Sequence, residues 1–144
     1  MRRLVVCAVG LLTVLIAAPA GAQNQHRPTT DRDRDRGHVM AAQYRLAAEH
    51  GSALGMCRLG DLFLAGDGVE RSAVEAYRWY VAALHATAAG ESISRADGFL
   101  AEERRQCDRN RKHAASLLTR SERADADRSA RAWLDAVLGV RVRE

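Results

Sequence analysis

No proline interrupts the chain between Asp31 and Glu144; the only two, Pro19 and Pro28, precede that stretch. An internal proline removes a helical hydrogen bond and clashes with the preceding turn, so this long segment is free to be helical throughout. Its apolar residues recur at three- and four-residue intervals, the period of a helix face. Apolar residues make up 47 % of the chain, enough to bury a core, while aromatic residues make up only 5 %. The 144 residues fit one domain of ordinary size.

The N-terminus reads as an address. Arg2 and Arg3 precede an apolar run from Leu4 to Ala18, broken only by Gly10 and Thr13, and Ala20-Gly21-Ala22 follows. This is the pattern of a signal peptide over residues 1–22, with cleavage expected before Gln23. The run is short for a span of about 20 residues, so no membrane span is expected after cleavage. The expected location is periplasmic or secreted. Cys7 lies at the start of the apolar run and is a poor lipid-attachment site. Cleavage removes two arginines and no acid, taking the net charge from +4 to +2. The remaining basic charge is arginine except for Lys112, and no stretch gathers it without acids. Nucleic acid is therefore not an expected partner. Two cysteines remain, Cys57 and Cys107. An even count in an oxidising compartment suggests a disulfide, worth about 4 kcal/mol by loop closure. The alternative is two buried free thiols.

Residues 23–37 are expected to be a disordered charged linker, because Asp31-Arg32-Asp33-Arg34-Asp35-Arg36 alternates opposite charges and has no apolar face. From His38 the helical period sets in. Met40, Tyr44, Ala47 and Ala48 mark a first helix, with Gly51 as its stop. Ser52 is a candidate N-cap for a second helix, which Gly66-Asp67-Gly68 ends. Ser72 caps a third, running to Gly90. Ser92 to Leu118 reads as a long helix with Ile93, Phe99, Leu100, Ala114, Leu117 and Leu118 as apolar points, Gly98 and Asn110 as breaks, and a charged middle. Thr119-Arg120-Ser121-Glu122 reads as a capping box. The last helix then carries Ala130, Trp133, Leu134, Val137 and Leu138 on one stripe and stops at Gly139.

A shift of 36 residues superposes Tyr44 on Tyr80, Ala47 on Ala83 and Met40 on Ala76. A two-helix unit with a period in the mid-thirties is a helical-repeat signature. Its residues are Ala47-Ala48-Glu49-His50-Gly51, Ala53, Leu59-Gly60, Phe63, Gly66-Asp67-Gly68-Val69, Ala76, Trp79-Tyr80 and Ala83. Together they resemble the Sel-one-like repeat (SLR), a relative of the tetratricopeptide repeat. Leu84 stands where that pattern has a second alanine, and Gly55 where alanine is usual. The resemblance covers Met40 to Gly90. It implies an all-α fold: a short right-handed α-solenoid of antiparallel helix hairpins with a C-terminal capping helix. The repeat region is expected over 38–90, and a degenerate repeat with capping helices over 91–144. Gly60 and Ala76 would let two helices approach closely, and Leu59, Phe63, Trp79 and Tyr80 would fill the seam.

Chemistry is sparse. His26, His38, His50, His85 and His113 share no metal-ligand spacing, so no metal site or cofactor is expected. His50 and Cys57 near one turn could pair as base and thiol, but a surface histidine beside a buried or bridged cysteine accounts for them. Glu102-Glu103 before Arg104-Arg105 reads as a solvated helix face. Asp61 is expected to be an exposed acceptor able to take a ligand proton, but without a partner acid or base at fixed spacing it is not assigned as a site. Tyr77, Trp79 and Tyr80 hold most of the aromatic surface. No catalytic residue is assigned. The expected function is a protein–protein interaction module, an adaptor or regulator in the bacterial envelope, as the resemblance also implies. The alternative is an envelope hydrolase or a cell-wall or β-lactam-binding protein, from which the missing Ser-x-x-Lys motif and the two mature cysteines depart.

Overall fold

The computed structural model describes residues 31–89 and 99–139. The signal-peptide segment, residues 23–30 of the expected linker, Gly90, Ile93, Gly98 and the last five residues lie outside them. Within the described residues the chain is all-α, with five helices and no strand: α1 Asp31–Glu49, α2 Ala53–Ala65, α3 Ala73–Ala89, α4 Ala101–Ser116 and α5 Arg120–Leu138. No helix among them is long and apolar enough to cross a membrane.

The helix ends follow local chemistry. The Ser52 hydroxyl accepts from the Gly55 amide at 2.9 Å and opens α2. Ser72 does the same for the Glu75 amide at 3.2 Å and opens α3. Thr119 and Glu122 form a reciprocal capping box at the start of α5. Gly66, with φ +78°, ends α2 in the left-handed conformation that glycine adopts without strain.

One boundary differs from expectation. Asp31 to Gly37, read as linker, forms the first two turns of α1. Alternating charges place opposite signs three residues apart as well as one, and a helix brings those neighbours together. Arg34 pairs with Asp31 at 3.3 Å and Arg36 with Asp33 at 3.6 Å. Tertiary contact supplies the rest: Gly37 is buried against the α2–α3 connection. A Cβ on Gly37 would sit 2.6 Å from the Gly68 nitrogen and 2.5 Å from an Asp67 carboxylate oxygen. Two backbones cross here, and only glycine fits.

α3 lies at the centre, packed against α2, α4 and α5, while α1 packs on α2. Its buried face carries Ala76, Tyr77, Trp79, Tyr80, Val81 and Ala83. Leu59 and Met56 of α2 meet it, fully buried, with Phe63 and Val74 partly covered at the margin. Gly60 lets α2 close on α3: a Cβ there would come within 2.7 Å of the Tyr80 ring. Gly55 has a similar cause, since a Cβ would meet that of Ala47 on α1 at 2.8 Å. Trp79 packs edge-on against Trp133 of α5, with ring centroids 5.0 Å apart, and the Arg78 guanidinium lies 4.8 Å from the Trp79 ring centre. Ala130 and Leu134 bury the rest of the α5 stripe. Val137, placed on that stripe by spacing, is 42 % exposed, and Leu117 and Leu100 at the two ends of α4 are also exposed. α5 drifts off the core at its last turn.

α2 and α4 touch little, yet they are covalently joined. Cys57 and Cys107, both buried, form a disulfide with Cα atoms 5.9 Å apart, well inside the range a bridge spans.

Two outcomes follow from this packing. Gly60→Ala should lose about 1 kcal/mol in a urea titration, because crowding the Tyr80 ring costs roughly 1–3 kcal/mol against a helix-propensity gain of about 1 kcal/mol; a net gain would mean the ring can step aside. Cys57→Ala/Cys107→Ala should lower stability by about 4 kcal/mol at most, and reductant should lower the unaltered chain by the same amount. Thiols that alkylate fully in denaturant without reductant would disprove the bridge.

Candidate functional site

α3, α4 and α5 leave an open groove between them. α3 contributes Tyr77, Val81, Leu84 and His85, a stripe spaced at helical intervals. α4 contributes Asp108 and Arg111, and α5 contributes Asp127 and Arg131, each pair one turn apart. The groove has a volume of about 420 Å³. It adjoins a second hollow of about 490 Å³, which shares Leu84 and Asp108 and is edged by Arg104, Arg105, Arg109 and Lys112.

Charge pairing organises the floor. Asp108 accepts from Arg111 Nε at 3.1 Å and from another Arg111 nitrogen at 2.8 Å, and pairs with Lys112 Nζ at 2.8 Å. These donors, Lys112 first and then Arg111, hold its carboxyl below the usual aspartate range. Burial pushes the Tyr77 phenol up, and Asp127 adds to the effect. Burial also pushes the His85 imidazole below 6.5, helped by Arg131 and Arg111 and opposed by Asp127. Glu102 bridges Arg105 at 2.8 Å and Arg109 at 3.3 Å along the exposed edge. The Arg131 Nε is buried without a hydrogen-bond partner among the described residues.

The arrangement gathers charge that the sequence disperses. Six cations (Arg104, Arg105, Arg109, Arg111, Lys112 and Arg131) meet three carboxylates (Glu102, Asp108 and Asp127) on this surface. The other described residues carry ten cations against twelve carboxylates. The surface is thus net +3 on a remainder of −2. Acids accompany the arginines here, as expected from the sequence, but the balance is uneven: α4 supplies five of the six cations, and its acidic neighbour Glu103 lies toward α2 instead.

Asp61 also departs from expectation. Read as an exposed acceptor, it is an internal hub: Tyr80 donates its hydroxyl to one carboxylate oxygen at 2.8 Å, Asn110 donates to the same oxygen at 2.8 Å, and Arg58 reaches the other at 3.4 Å. Asn110, expected as a helix break, sits mid-helix in α4 and ties it to α2. Burial, with Asp61 beside it, drives the Tyr80 phenol well above the usual tyrosine range. His50 points its Nδ1 at the Leu46 carbonyl, 2.8 Å away, and the bridged Cys57 has no thiolate to offer. Among the described residues no three His, Cys, Asp or Glu side chains cluster as metal ligands.

The residues that carry the sequence resemblance lie on three helices and their two connections. Ala47, Gly51 and Ala53 lie at the α1–α2 junction; Leu59, Gly60 and Phe63 are on α2; Gly66, Gly68 and Val69 make the connection; Ala76, Trp79, Tyr80 and Ala83 are on α3. None of them edges the basic hollow. Comparison with family models, with curated proteins and with solved structures finds no match to the chain.

The depressed His85 pKa has a pH consequence. A base whose folded pKa lies below its unfolded value of about 6.5 contributes stability that is complete above that value and lost as pH falls through the folded pKa. The chain should therefore lose stability as pH falls through about 6.5, and His85→Gln should flatten that slope in urea midpoints. Equal slopes for both forms would rule out His85 as the source.

Proposed function

We propose that this chain is an exported helical-repeat module that binds a protein or peptide partner and catalyses nothing itself, serving as an adaptor or regulator in the bacterial envelope. The observation that carries this is the open groove across α3, α4 and α5: three helices present side chains to one shallow, mixed polar and apolar surface, held on a core fastened by a disulfide. Such surfaces suit macromolecular recognition, in which an apolar centre and a polar rim share the work.

In this reading α2 and α3 are the antiparallel hairpin of one Sel-one-like repeat, α1 is half of the preceding unit, and α4 and α5 cap a short solenoid. Support comes from the fit of motif to role. Gly60 admits the Tyr80 ring, Gly66 and Gly68 take positive φ in the connection, and Ala76 is fully buried where two helices meet. One repeat cannot bury its own faces, and the contacts of α3 with α4 and α5 supply that cover. The signal-like residues 1–22 and the buried disulfide both suit a periplasmic or secreted location.

The test is cross-linking and capture from cells producing the tagged full-length chain, with Leu84→Asp in the groove and Leu46→Asp on the exposed face of α1 as folded comparisons. A partner lost with Leu84→Asp and kept with Leu46→Asp is the expected result. Identical captures for all three would put the binding surface outside the groove; capture of no protein, together with selective retention of cell-wall fragments, would favour the envelope-enzyme alternative.

A further inference from the structure

The outward face of α4 is more specific than a general binding surface. Arg105, Arg109 and Lys112 follow one another along the helix, rising roughly 6 Å and then 4.5 Å along its axis. Same-face side chains of an extended peptide repeat about every 6.8 Å, a spacing that flexible arginine and lysine side chains can meet. Arg104 is exposed beside them and meets no carboxylate among the described residues. The other three share only Glu102 and Asp108. Leu84 of α3, half-buried, forms an apolar patch where the two hollows join.

We propose that this face docks an acidic, extended segment of a protein partner, whose carboxylates pair with Arg104, Arg105, Arg109 and Lys112 while one apolar side chain rests on Leu84. The proposal rests on the binding-module reading and names the chemistry of its partner. Guanidinium groups are suited to it, because their planar forks match carboxylates bidentately. Three features select a peptide over other polyanions. Asp108 and Asp127 are interleaved in the floor, where they repel an unbroken line of phosphates but can accept a peptide N–H. Single-stranded nucleic acid sites pair a basic groove with aromatic stacking platforms, whereas here Tyr77 is buried, His85 is partly buried, and no aromatic side chain lines the hollow edged by Arg104, Arg105, Arg109 and Lys112. Leu84 lies in a hollow between α3 and α4, where a single peptide side chain can reach it, whereas a lipid bilayer presents a flat surface.

The experiment is fluorescence anisotropy on the purified chain. The probes are a labelled decapeptide of alternating Glu and Ser with one central Leu, its Lys-for-Glu counterpart, a single-stranded oligonucleotide of equal charge, and phosphatidylglycerol vesicles. The acidic peptide should bind best. Arg104→Ala/Arg105→Ala/Arg109→Ala, checked by circular dichroism and thermal midpoint, should weaken it by about tenfold or more. Arg32→Ala/Arg45→Ala on α1 should leave it within about twofold. Absence of peptide binding, tighter binding of oligonucleotide or vesicle, or a folded triple variant that binds as well as the unaltered chain would each overturn the proposal. Capture from cells separates the two levels: a partner kept by the triple variant but lost with Leu84→Asp overturns the acidic-segment proposal alone. Failure of every form to capture a protein overturns the binding-module reading beneath it.

Discussion

The close contact between α2 and α3 governs the rest of the molecule, and it turns on Gly60 and Tyr80. A glycine on one helix admits a fully buried ring on the other. That ring ends in a hydroxyl, which cannot be buried cheaply without an acceptor. Asp61, the next residue after Gly60, supplies it. Adjacent positions on α2 thus make the space for Tyr80 and satisfy its polar end. The same Asp61 oxygen receives the Asn110 amide, so the innermost helix contact also reports where α4 must lie.

α4 has a composition that would not hold it in place unaided. Most of its surface is charged, and few apolar side chains face inward: Cys107 and Ala114 are its buried residues. It is positioned by a covalent bond to α2, by the Asn110–Asp61 hydrogen bond and by packing on α3. Anchoring of this kind leaves the outer face free to carry charge without weakening the core. The basic surface and the disulfide are therefore linked physically: a helix so rich in arginine can be kept on the body because other interactions fasten it.

Much of the fold was legible because it is written locally. Ser52, Ser72, Gly66 and the Thr119–Glu122 box act within a few residues of themselves, so a linear reading finds them. Leu59, Gly60, Ala76, Trp79 and Tyr80 recur at helical spacing, so their place on buried helix faces was legible for the same reason. What escaped depends on partners distant in sequence. Asp31 to Gly37 looked unstructured because its helical support includes the crossing of Gly37 with Gly68, a contact no local pattern announces. Asp61 looked exposed because its partners lie 19 and 49 residues away. The charged stretch of α4 looked balanced because its acids and bases are counted together along the chain, whereas the fold turns Glu103 to one side and the arginines to another. A signal could have been found: projected on a helix, Arg104, Arg105, Arg109 and Lys112 fall within a sector of about 140°.

The bridge between Cys57 and Cys107 closes a covalent ring 50 residues around, and α3 lies inside it. If the two ends of the domain are pulled apart, the load passes from α1 into α2, crosses the sulfur atoms and leaves through α4 and α5. The enclosed chain, on the order of 170 Å of contour, is never stretched. Tension can peel away the outer helices but cannot unravel the middle one, so a partner tethered to this domain would pull against a fixed mechanical stop.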